Sequence, residues 1–184
     1  MDDHCALHGV DRDGRIVAIV LFDLEDQDAA WAELDARYDV LEAELHPRMT
    51  AARIAQRRPY LDRDWEAFAA TYAPDVACHD HRLLGWGTLH GVDAFMRTQR
   101  ALVELAPDTR VRNDHVMASE HGFLVSALIS GTRDGGAFEL AFLRVSEIDA
   151  AGKMCRIDLY DIEDQGRALA RFGVNSTAGL AGFF

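Results

Sequence analysis

Four residues in this sequence are best suited to chemistry: Asp80 in "VACHDHR", Asp158 and Tyr160 in "RIDLYD", and His115 in "RNDHVM". A carboxylate walled by apolar side chains has a raised pKa and can carry a proton to and from a bound enol or enone. Strand alternation puts Asp80 on the face of Val76 and Cys78, away from His79 and His81. The competing reading has Asp80 beside a loop, paired with Arg82 or with backbone amides. Asp158 stands between Ile157 and Leu159, where a lone charge is costly to bury, so it needs a partner or a wet cavity. A solvated face of an edge or dimer-contact strand answers that need equally well. Tyr160 shares its face, with a hydroxyl able to hold an oxyanion opposite an acid. His115 is a second proton carrier if it faces inward and a surface residue if it faces out.

Other residues have a weaker claim. His79 and His81 put two imidazoles on one strand face, but no third ligand is apparent nearby, so no metal and no cofactor are expected. Trp86 in "GWG" is a pocket lid or a buried anchor. Asp161 and Asp164 stand where a strand exits into a helix and suit the free amides and positive end of its first turn. The sequence has no phosphate-cradling glycine loop, no GxSxG elbow and no HExxH, which removes support for nucleotide-fold, serine-hydrolase and zincin chemistry.

The elements that must position these residues follow a repeat. "GRIVAIVLFDLEDQDAAWAEL" (14–34) and "GKMCRIDLYDIEDQGRALARF" (152–172) align without a gap at a spacing of 138 and share nine identities. Each reads as a turn, an apolar strand, an acidic step and a helix. So long a period suits a whole domain, which predicts residues 1–45 as the hairpin and helix of an incomplete preceding copy, residues 46–172 as a complete domain, and 173–184 as a tail. A lone hairpin cannot bury "IVAIVLF", which is expected to pair with the complete domain's sheet or a partner chain's. Between the two copies, helical patterns at about 49–60, 62–72 and 92–106 precede four strands joined by short turns. Helices before an antiparallel meander make an α+β domain.

That order of elements resembles the nuclear transport factor 2 superfamily, and its SnoaL-like branch in particular. The most legible piece is "FAATYAPDVACHDHRLLGWGTLHGVDAFM" (68–96), with its helix, "YA.D" step, short strand, glycine loop and second helix. The resemblance implies a curved antiparallel sheet packed against N-terminal helices, a cone with a central pocket, and a homodimer formed through the sheet's outer face. It implies for Asp80 the place of the steroid isomerases' general base, and for Asp158 or Asp161 a late-strand acid of the polyketide cyclases. For the isomerases' tyrosine Tyr60 is the candidate match, though spacing does not fix it, and the position of their second, protonated acid is unassigned. Two functions follow: a small-molecule isomerase, cyclase or dehydratase acting on a hydrophobic carbonyl compound, or a non-catalytic ligand-binding or dimerisation module from a larger regulator.

Composition sets the partners. A net charge of −12 disfavours nucleic acid, and no run of apolar residues is long enough for a membrane helix. The first residues carry neither the basic nor the long apolar part of a signal peptide. Cys5, Cys78 and Cys155 have no CxxC spacing, which points to a reduced, cytoplasmic setting.

Overall fold

The computed structural model describes residues 4–11 and 13–173, and the chain divides into two compact units, Met1–Leu45 and His46–Phe184. Beyond Gly173, the expected tail lies outside the described residues.

In the first unit, strands β1 (His4–Val10) and β2 (Ile16–Asp23) form an antiparallel hairpin, followed by a 3₁₀ turn (Leu24–Asp26) and helix α1 (Gln27–Leu45). Helix α1 packs on both strands. It leaves Ala18, Val20 and Phe22 half-buried, with Val17, Ile19 and Leu21 exposed on the other face. β1 and β2 are a two-stranded sheet of their own.

The second unit opens with α2 (Pro47–Leu61), where Pro47 occupies a first-turn position that needs no amide donor. Helix α3 (Trp65–Ala70) is capped by Asp64, whose carboxylate accepts from Ala67 N at 3.0 Å. Then come β3 (Tyr72–Asp80), β4 (Thr88–His90), α4 (Val92–Leu105), β5 (Arg110–Ala118), β6 (Gly122–Arg133), β7 (Gly136–Ile148), β8 (Met154–Asp161) and α5 (Gln165–Phe172). The curved sheet runs β4-β3-β8-β7-β6-β5. It is antiparallel throughout except between β3 and β8, which are parallel. Local pattern reveals hairpins, but β3 and β8 are joined by most of the domain, and no turn advertises their pairing.

Both sheet faces are covered. On one, Phe68, Tyr72, Val76, Cys78, Phe123 and Leu159 form the main core with residues of α2, α3 and α4. On the other, Leu124, Leu143, Val145 and Tyr160 pack against Ala168 and Leu169 of α5.

Elements at the two ends of the chain correspond in position. β2 and β8 begin and end 138 residues apart, as do the starts of α1 and α5. Asp11 Oδ1 accepts from the amides of Asp13 and Arg15, as Asp149 Oδ1 does from Ala151 and Lys153. Gly14 and Gly152 close these turns with φ of 76° and 79°, a conformation open to glycine. Both hairpins even slip register at the same place, between Gly9 and Val10 and between Glu147 and Ile148.

Candidate functional site

Asp80 ends β3 on the main-core face, and the chain then turns sharply through residues 81–87. Its carboxylate is fully enclosed. Arg82 Nε and Nη2 donate to it at 2.8 and 2.7 Å, Arg82 N at 3.2 Å and Trp86 N at 2.9 Å. A Cβ at Gly85 would overlap the carboxylate, so only glycine lets the loop close on it. Arg82 also lies over the rings of Trp86 and Phe142, at 5.6 and 5.5 Å. Burial raises the Asp80 pKa, but the hydrogen bonds from Arg82 and Trp86 outweigh it, and the net shift is downward. This is the loop-anchoring arrangement, with the acceptor positions occupied.

Asp158 lies on the opposite face. Strand register sets it beside His79, while Asp80 is beside Leu159. Its side chain is 1% exposed and meets three donor residues. Arg156 Nε and Nη2 donate at 2.8 and 3.2 Å, Arg171 Nε at 2.9 Å, and His81 Nε2 at 3.0 Å, since a carboxylate leaves the imidazole only the donor role. Arg171 also pairs with Glu147 at 2.7 Å. Burial raises the Asp158 pKa, but these hydrogen bonds and the charges of Arg156 and Arg171 hold it down at about 2.

Tyr160 joins this second cluster. His81 stacks on its ring, with centroids 4.7 Å apart, and Arg167 lies over the ring at 5.6 Å. His115 pairs with Ser126, which pairs with Leu143 and through it with Tyr160, so His115 is on the same face, three strands away. Asp158, Tyr160 and His115 therefore share the face under α5, and Asp80 stands alone on the other. The structure does not bring the four together as one acid/base site.

Asp161 and Asp164 do not cap α5 with their side chains. Asp161 Oδ2 accepts from Leu83 N at 3.0 Å, and Asp164 Oδ2 from Arg167 Nη1 at 2.9 Å. The carboxylates find donors in the neighbouring loop and in the helix's own arginine. Among the described residues, no three His, Cys, Asp or Glu side chains are grouped to hold a metal ion. Cys5, Cys78 and Cys155 are free thiols, and burial pushes Cys78 up to about 12. Trp86, partly exposed, borders an open surface groove of about 380 Å³ between β4 and α4, with Leu89, Arg97 and Leu102. No described helix is long and apolar enough to cross a membrane.

Arg144 belongs to none of the sequence's motifs. Arg144 in "AFLRVSEI" points from β7 into the main core, between Leu159 and Val125 in the cross-strand row, with its guanidinium 5.5 Å from the Phe123 ring centroid. The available signal was an arginine set between Leu143 and Val145 in a largely apolar strand, at the phase of Phe142.

The SnoaL-like domain model matches residues 54–157, and the chain belongs to that family. Solved structures agree in fold. Rv0760c from Mycobacterium tuberculosis matches at a TM-score of 0.55 and 16% identity, over 65% of this chain and 94% of its own. An epoxide hydrolase of the LEH-like type from the same organism gives 0.53 and 16%, over 68% and 92%. An NTF2-like protein of unknown function from Burkholderia pseudomallei gives 0.53 and 21%, over 66% and 96%. No curated protein matches the sequence.

Proposed function

We propose that residues 46–172 form a non-catalytic small-molecule-binding module, whose ligand is an apolar compound held on the sheet face beneath α2, α3 and α4. The saturation of Asp80 carries this reading. A general base needs a lone pair free for the substrate and a pKa lifted toward neutrality, whereas Asp80 is enclosed, spends its oxygens on Arg82 and Trp86, and is held below the ordinary range. The family supports small-molecule binding or isomerase and cyclase chemistry in general. Two structures of this fold are described as a complex with estradiol-17beta-hemisuccinate and as a designed 17-OHP binder.

Native mass spectrometry against a library of apolar compounds, beside an absorbance assay for conversion of a β,γ-enone to its conjugated isomer, tests this. One-to-one adducts without conversion are expected. Conversion that vanishes in Asp80→Asn while binding persists would restore the acid/base reading.

Residues 1–45 are proposed as the closing hairpin and helix of a second SnoaL-like sheet, supported by the shared register, bulge and turn. The exposed row of Val17, Ile19 and Leu21 then takes its cover from a partner chain, in a homodimer.

A further inference from the structure

Arg144 lies deep in the domain, yet part of its side chain remains open. Burial pushes its pKa down, with Tyr72, Tyr60 and Cys78 as smaller opposing influences. Asp80, two strands along the same row and about 10 Å away at the usual strand spacing, is committed to Arg82. Among the described residues, no acceptor meets the buried Nε of Arg144.

A second donor faces the same core. Ala52, Gln56 and Tyr60 succeed one another at four-residue intervals on α2, and Ala52 and Tyr60 both belong to the main core. Gln56 is buried between them, and its Nε2 also lacks an acceptor. Two orphaned donors, one of them on a cation, facing one aromatic core make a costly arrangement unless something supplies oxygen and negative charge. One planar guanidinium matches one planar carboxylate in shape and charge.

We propose that the pocket of residues 46–172 takes an apolar molecule bearing a carboxylate, seated on the Arg144 guanidinium with the Gln56 amide as second donor. This rests on the ligand-binding reading above and adds the charge of the ligand to it. The test is calorimetric titration of a size series, benzoate, 2-naphthoate and 1-pyrenebutyrate, each beside its neutral primary amide, on the full chain and on Arg144→Met and Gln56→Leu. At least one acid should bind wild type about tenfold or more tighter than its amide, and Arg144→Met should erase that preference. Gln56→Leu should weaken the acid by a smaller factor. Unliganded Arg144→Met should melt higher, by about 2 °C or more, because an uncompensated buried charge is gone. Equal binding of acid and amide, with Arg144→Met indifferent, would overturn the carboxylate and leave the ligand-binding reading standing. No binding across the series, with melting unchanged or lowered in Arg144→Met, would overturn both and leave ordered water as what satisfies the guanidinium.

Discussion

Asp158 shows how the partners of a charge decide its role. In the first hairpin its counterpart is Val20, and the counterparts of Arg156 and Arg171 are Ala18 and Glu33. Acid and arginines are absent together, as expected of a mutually dependent ion network rather than of one reactive group. Removing the acid strands positive charge beneath α5, so Asp158→Asn is expected to cost about 2–3 kcal/mol in denaturant unfolding. Its pH signature has a definite sign. The folded carboxyl titrates at about 2, against an ordinary 3.8. Its stabilisation, about 2 kcal/mol, is therefore complete above about pH 4 and is lost as pH falls toward 2. Melting curves through that range should show the loss in wild type and a shallower slope in Asp158→Asn. At Asp80 the loop is what suffers: Gly85→Ala is expected to lower the melting temperature by several degrees, because the added Cβ meets a carboxylate that cannot move without giving up Arg82.

At the scale of elements, two hairpins of nearly the same sequence sit in different surroundings. β8 has strands on both sides and packing on both faces, whereas within its own unit β2 pairs with β1 and carries α1 on one face. Amide exchange followed by mass spectrometry should find β8 protected at every protein concentration. β2 should gain protection as concentration rises and partner chains cover Val17, Ile19 and Leu21. Protection of β2 that ignores concentration would count against a partner chain. These elements were legible because the turn residues, period-two strands and helix starts are local signals, repeated twice. The parallel β3–β8 pairing was not legible, because no contiguous stretch encodes it. Nor was the sorting of candidates between faces: Asp80 and Asp158 each read as a charge in an apolar strand, and only register shows that they turn their backs on one another. Arg144 escaped for a related reason, since a lone arginine in a strand reads as solvated until the covering helices are known.

For the whole molecule, the family fold supplies a two-faced sheet whose polar networks divide by task. The α5 face is held by Asp158 and its arginines, the loop after β3 by Asp80 and Arg82, and in the main core Arg144 Nε and Gln56 Nε2 lack hydrogen-bond acceptors among the described residues. The proposed homodimer is tested by light scattering over a range of concentrations, with twice the chain mass expected and a strict monomer contradicting it. Binding and catalysis part most directly at one carboxyl group. Titration of Asp80 followed through its side-chain carbonyl carbon by NMR should give a midpoint below the ordinary 3.8, leaving the group an ion-paired anchor throughout the working range. A midpoint lifted above about 5, toward the range that proton-shuttling carboxylates occupy, would contradict the binding-module reading and return Asp80 to catalysis.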